Sequence, residues 1–411
     1  MAILWELYRG RDFDVKPTLE RIKKACEFIG NPQKHYPAIL VGGTNGKGST
    51  CAFTERILRE HGYKTGWFVS PHLIRENERW RINGKEIDEE RLRYYVKELK
   101  AVFERFELTY FEAATLIAVK FFEDEKVDVG VFEVGMGGRW DATKVVNANV
   151  IGITNVERDH TKWLGDTVEK IALEKLQLYR EGRPLILGTA RYPLFTKAVE
   201  LGLKNLFVAG IDYEYFGKVE ASKTILESFS SEKFSVRGAE LSLWGKWQID
   251  NASTAIALSS LFTKLEESKV KKALSLTVWE GRIEVLREEP LLMIDASHNP
   301  YAVVKVIKEV KKYFPSVKLA FSSLKGKEWE LSLKLIRNYF KEVYILPIEY
   351  YRAEDVKNLI TFSEEIGLNA KVFEPEELIN KKEDILVIGS IYLISDFKKF
   401  FKKVTSGNFL L

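Results

Sequence analysis

The chain is poor in the residues that usually announce a compartment or a staple. Of 411 residues, 2 are cysteine and 3 methionine, and glutamine occurs only at 33, 177 and 248. Cys26 and Cys51 allow at most one bridge and form no Cys-x-x-Cys pair. That excludes a disulfide framework and fits a reducing compartment. No run of about 18 uncharged apolar residues occurs, and the apolar start of "MAILWELYRGRD" is short for a signal peptide and broken at Glu6. A soluble, cytoplasmic protein without a membrane partner is expected. Charge of one sign is lacking too: 63 basic against 59 acidic residues leave only +4, which gives no general electrostatic case for nucleic acid. Scarce glutamine beside abundant Lys and Glu is a balance found in heat-adapted proteins.

What is present is a globular composition, 45% hydrophobic and 30% charged, long enough for two or three domains at about 100–200 residues each. Strand-like runs, Ala38–Val41, "KTGWFVS", "VDVGVFEVG", "ANVIGITNV" and "RPLILG", alternate with amphipathic segments such as Glu89–Glu107 and Glu112–Glu123. This alternation predicts an α/β fold, a parallel sheet with helices on both faces. A second series, "PLLMIDAS", "VKLAFSSL", "EVYILPI", "AKVFEP" and "DILVIGS", predicts a smaller α/β domain. The expected domains are 1–281 and 287–411, with a hinge near Gly281–Arg287.

The stretch "AILVGGTNGKGST" at 38–50 reads as strand, glycine-rich loop and helix start. Such a loop turns backbone N–H groups around an anion, and the helix adds its unsatisfied donors and positive dipole end. Lys47 supplies a point charge for outer phosphates, and Ser49 or Thr50 a hydroxyl in reach of magnesium. It is a variant P-loop, because Val41 stands five residues before Gly46 and Gly48 directly after Lys47. A plain strand-to-helix turn is the alternative.

Polar residues at strand tips are the next signal, since ligands bind outside the carboxyl ends of such sheets. "WFVSPHL" ends in Ser70 and His72, "GITNVERDH" in Asp159 and His160, and Glu133 lies within an apolar strand. A buried carboxylate flanked by Val131, Phe132 and Val134 needs a cation or a donor network; an edge strand would instead turn Glu133 to water. His160 reads equally as a packing histidine, Lys175 as a surface charge, Asn251 as a helix cap and Asp295 as a cap for the helix after Asn299-Pro300.

Taken in order, "GTNGKGS", "SPHL" with "ERWRINGKEI", "TYFEAAT", "EVGMGGRWDAT", "ITN" with "DH", "EK" at 174–175, "WQIDNA", "GRIE", "DASHNP" and "IGSIYL" resemble the folylpolyglutamate synthase and dihydrofolate synthase family of Mur ligases. The resemblance implies a P-loop mononucleotide-binding parallel-sheet domain followed by a smaller Rossmann-like domain, and an ATP-dependent carboxylate–amine ligase. It implies catalytic roles for Lys47, Lys175 and His160, with Lys175 carbamylated. Mg2+ would be held by Ser70, Glu133 and His160. ATP would be held by Thr44, Asn45, Gly46, Lys47, Gly48 and Ser49, with Gln248, Asn251, Arg282 and Asp295 completing the site across the domain gap. Thr109, Tyr110, Phe111, Glu112 and Asp141 would handle the pterin, and His298 and Ser390 the incoming glutamate. Expected partners are therefore small molecules, folate or dihydropteroate and L-glutamate, acting on a monomer.

The sequence departs from the family pattern at Trp247, where His is usual, and at Lys144, where Asn is usual. "DASHNP" stands for "DGAHNP", "EKLQLY" for "EKAGI", and "SSLKGKEW" lacks an Asp-Lys-Asp. A cell-wall Mur ligase is the nearest rival, but a typical domain is longer than the 42 residues ahead of Gly43. A guanine-nucleotide switch would want Asn-Lys-x-Asp, and Asn380-Lys381-Lys382-Glu383 lacks the aspartate.

Overall fold

The computed structural model describes residues 3–8 and 16–407. Phe13, Asp14 and Val15 lie outside the described residues. The chain divides into two compact units between Val278 and Trp279, and the short segments 219–223 and 243–245 group with the second.

The first unit opens with α1 (Ile3–Leu7) and α2 (Glu20–Phe28), then β1 (Ala38–Gly42), α3 (Lys47–Glu60), β2 (Thr65–Phe68), β3 (Trp80–Ile82) and β4 (Lys85–Glu86). It continues through α4 (Glu89–Arg105), α5 (Tyr110–Asp124), β5 (Val129–Glu133), β6 (Ala148–Ile153), α6 (Thr161–Leu164), α7 (Val168–Leu176) and β7 (Leu185–Leu187). After α8 (Leu194–Glu200) and β8 (Leu206–Val208) comes a three-stranded sheet of β9 (Tyr213–Val219), β10 (Thr224–Ser231) and β11 (Ser235–Leu241). The unit closes with α9 (Lys246–Phe262) and α10 (Glu267–Ser275).

Its main sheet has the order β4-β3-β2-β5-β1-β6-β7-β8. The six strands from β2 to β8 are mutually parallel, while β3 and β4 run antiparallel at one edge. The central strands are apolar along their whole length because both faces are covered: every residue of β1 and of β5 is buried. β5 is thus no edge strand, and Glu133 does not turn to water; it is 5% exposed. Register decides the rest. Glu133 pairs with Val41 and Gly42 with Ile153, so the tips of β5, β1 and β6 end level and their following loops share one rim.

The second unit contains β12 (Glu284–Arg287), β13 (Leu292–Asp295), α11 (Pro300–Tyr313), β14 (Lys318–Phe321) and α12 (Trp329–Ile336). β15 (Glu342–Ile345), α13 (Val356–Glu365), β16 (Asn369–Val372), α14 (Pro375–Ile379), β17 (Ile385–Ile388) and α15 (Ile391–Gly407) complete it. Its sheet order is β12-β13-β17-β14-β15-β16, parallel except for β12. Asn299, not Asp295, caps α11, accepting from Ala302 N at 2.9 Å.

Candidate active site

The loop after β1 is a preformed anion cradle. Gly43 (φ +135°) and Gly46 (φ +84°) adopt conformations open to glycine. A Cβ at Gly43 would lie 1.9 Å from Thr154 Oγ1, and one at Gly46 2.2 Å from Asn251 Oδ1. Gly46 caps α3 and Lys47 is its first residue, so the helix starts within the glycine-rich stretch and its free N–H groups face the loop.

Two residues after β6 tie the loop down, a role the sequence motif "ITN" did not reveal. Thr154 Oγ1 donates to Asn45 O at 2.7 Å, Asn155 Nδ2 donates to the same oxygen at 3.0 Å, and Asn45 N donates to Asn155 Oδ1 at 3.0 Å. Thr44 N donates to Asn155 O at 3.0 Å, and Thr44 Oγ1 bonds both Glu157 N and Glu157 O. Lys47 Nζ folds back on Thr44 O at 3.1 Å. Ser49 and Gly48 are buried at the start of α3.

Lys175 is not a surface charge. It is 4% exposed on the apolar face of α7 and donates to Gly43 O at 2.8 Å. Burial, helped by the Lys47 ammonium and opposed by Asp159 and Asp141, lowers its pKa from 10.5 to about 7. The amine is therefore substantially neutral near pH 7, the form that adds carbon dioxide to give a carbamate.

Glu133 accepts from Ser70 N at 3.1 Å, which brings two of the three expected metal ligands together. His160 lies in the loop after β6 at φ +50°, with its side chain 44% exposed and Nε2 4.0 Å from Asp159 Oδ2. Among the described residues no three His, Cys, Asp or Glu side chains are gathered to hold a metal alone. Magnesium does not ask for that, because it keeps waters and leans on one or two carboxylates plus phosphate. Buried Glu133, which meets Ser70 through its backbone N–H, offers one such carboxylate, and Thr50 Oγ1 is a buried, unpartnered hydroxyl in the first turn of α3.

Asn251 does not cap a helix. α9 begins five residues earlier, and Asn251 is buried in its body, donating from Nδ2 to Gln248 Oε1 at 2.9 Å while its Oδ1 abuts Gly46. Gln248 is fully buried with Nε2 unpartnered, a donor held beside the phosphate loop.

The expected pterin residues divide into two groups. Thr109 and Glu112 form a capping box on α5, and Glu112 also pairs with Arg21 at 3.1 Å. Tyr110 OH donates to Glu76 Oε1 at 2.8 Å within buried surroundings. Phe111 is half-buried, and a Cβ on Gly135 would lie 2.7 Å from its ring. Asp141 is buried, accepting from Met136 N and from Thr143 N and Oγ1, and burial raises its pKa despite those bonds.

In the second unit Asp295 is 1% exposed and accepts from Ile283 N, Ser297 N and Ser297 Oγ. Arg282 Nη1 donates to Gly281 O at 2.9 Å. His298 Nδ1 lies 3.1 Å from Ala296 O, and Ser390, buried after β17, accepts from Tyr392 N.

The Mur ligase middle domain family matches residues 41–259. The dihydrofolate synthase/folylpolyglutamate synthase of Bacillus subtilis is 32% identical over 416 residues, covering 95% of this chain and 96% of its own. The chain belongs to the folylpolyglutamate synthase/dihydrofolate synthase family. Solved members of that family share the whole fold. Escherichia coli FolC in complex with DHPP and ADP superposes with a TM-score of 0.86 at 28% identity, covering 98% of this chain and 96% of that one. The bifunctional folylpolyglutamate synthase/dihydrofolate synthase of Yersinia pestis, complexed with AMPPNP and Mn ion, gives 0.85 at 28% identity, covering 97% and 98%. Among the described residues of this family member no helix is long and apolar enough to cross a membrane.

Proposed function

We infer that this protein is an ATP-dependent carboxylate–amine ligase that joins L-glutamate to dihydropteroate, to the γ-carboxylate of a reduced folate, or to both, in folate biosynthesis and one-carbon metabolism. One observation carries the reading: Lys47, Glu133 and Lys175 share one rim with a preformed phosphate loop in a chain that spans the length of enzymes with that activity.

A carboxylate resists amines because its oxygen is a poor leaving group. Transfer of the terminal phosphoryl of ATP to that oxygen releases ADP and gives an acyl phosphate. The glutamate amine then bonds to the carbonyl carbon, the carbon–oxygen bond to phosphate breaks, and an amine proton leaves to solvent or a base. Lys47 swings from Thr44 O to the outer phosphates, where the loop N–H groups and the α3 N-terminus add further positive potential. Glu133, Ser70 and His160 would hold a magnesium ion, which would supply charge compensation on the phosphates. Lys175, carbamylated, would place an anion beside that cation. Gln248 and Asn251 hold the nucleotide beside Gly46, Arg282 and Asp295 contribute from the second unit, and His298 and Ser390 serve glutamate. Of the pterin set, Phe111 and Asp141 are proposed to face substrate. Thr109 and Glu112, engaged in the α5 cap and the Arg21 ion pair, and Tyr110, bonded to Glu76, shape the wall. The near-balanced charge supports action on small molecules rather than on nucleic acid; a cytoplasmic monomer is proposed with it.

The test is ADP release in the presence of glutamate with dihydropteroate, with tetrahydrofolate and with neither. Release that depends on one or both acceptors is expected; acceptor-independent release equal in all three would overturn the reading.

A further inference from the structure

Arg282 sits in a turn held in an unfavourable shape. Gly281 has φ +72° and Ile283 φ +45°. A β-branched residue in the left-handed region is a steric outlier and persists only where its surroundings over-determine it. Here they do. Ile283 N donates to Asp295 Oδ2 at 3.0 Å, Ala296 N donates to Gly281 O at 3.0 Å, and Gly281 N donates to Glu284 Oε2 at 2.8 Å.

The outer fastening comes from α15. Lys398 Nζ reaches Glu284 Oε1 at 2.5 Å and Glu280 Oε2 at 2.9 Å, one carboxylate on each side of Arg282. The lysine is 3% exposed. Desolvating an ammonium is costly, and an apolar residue at that helix position would pack at less expense. A cation that clamps both flanks of a strained turn gives the charge a reason to be there.

We propose that Lys398 is a positioning residue: by bridging Glu280 and Glu284 it keeps the 280–284 turn in the one conformation that aims Arg282. This rests on the reading above that Arg282 meets the nucleotide. Lys398 touches no substrate and acts only through the arginine.

The experiment measures KM for ATP, kcat and the Kd of ADP for R282A, K398M, K398R and the R282A/K398M double variant, with thermal midpoints recorded alongside. K398M is expected to raise KM for ATP and Kd for ADP about tenfold, the scale of coupling within one network, with a smaller change in kcat. K398R, which can still span both carboxylates, restores most of that loss. In the R282A background K398M adds nothing further to either constant. Should K398M not fold, E284Q carries the same expectation. The proposal is overturned if K398M lowers the thermal midpoint alone, or if its effect adds in full to that of R282A. If R282A itself leaves both constants unchanged, the nucleotide role of Arg282 fails first and the positioning role falls with it.

Discussion

At the residue scale, the site combines two buried titratable groups, Glu133 and Lys175, with a half-buried lysine, Lys47. Lys47 is parked on Thr44 O at 3.1 Å, a contact that a phosphate oxygen replaces with a stronger, charge-assisted one. Lys47→Ala should lower kcat by about 10²-fold or more, the usual cost of removing one transition-state donor; a steady-state rate close to that of the parent enzyme would refute the assignment. Lys175 makes a sharper case because its titration is displaced to about 7 by burial and by Lys47. Carbon dioxide reacts with the neutral amine, which is populated above the pKa and lost below it. Carbon-13 NMR with labelled bicarbonate should therefore show a carbamate signal that grows between about pH 6 and pH 8, far below the range near 10.4 of an ordinary lysine, and that is missing in Lys175→Met. A signal that appears only in strongly alkaline solution would contradict it.

At the scale of elements, what the sequence discloses depends on how local the signal is. The buried parallel strands were legible because runs such as Ile39–Val41 and Val129–Phe132 are apolar without interruption. The sheet of β9 to β11 was missed: its strands are wet on one face and interrupted by Ser, Lys and Glu rather than continuously apolar, and the burial pattern of β11 alternates imperfectly. Antiparallel β3, β4 and β12 also escaped, since pairing direction is set by tertiary context rather than by composition. Lys175 could have been found. Ile171, Ala172, Lys175 and Leu176 are the buried residues of α7, so the lysine stands on the apolar stripe at helical spacing. Asn251 was harder, because the start of α9 at Lys246 leaves it in the helix body, where burial all round hides any stripe. The α5 cap offers a test that separates structure from chemistry. Thr109→Ala removes the oxygen that receives Glu112 N and should cost about 1 kcal/mol of stability in urea unfolding while leaving KM for the pterin acceptor within about twofold. A loss of acceptor affinity at unchanged stability would give Thr109 a direct substrate role instead.

At the scale of the whole molecule, two features meet: charged networks and a chain matched end to end by one enzyme family. Glu60 is shared by Arg56 and Lys272, and Glu125 by Lys64 and Arg91. Networks of this kind gain value with temperature, as does the scarcity of glutamine. Calorimetry should place the thermal midpoint above about 65 °C, the upper end of the ordinary range; a midpoint inside that range would remove heat adaptation from the account. The central claim concerns chemistry, and isotope transfer reaches it most directly. With an acceptor whose terminal carboxylate carries oxygen-18, turnover with ATP and glutamate should deliver one labelled oxygen per molecule of inorganic phosphate, because the carboxylate oxygen leaves with the phosphoryl group. Phosphate that carries oxygen from water alone, with product formed at the normal rate, would contradict it.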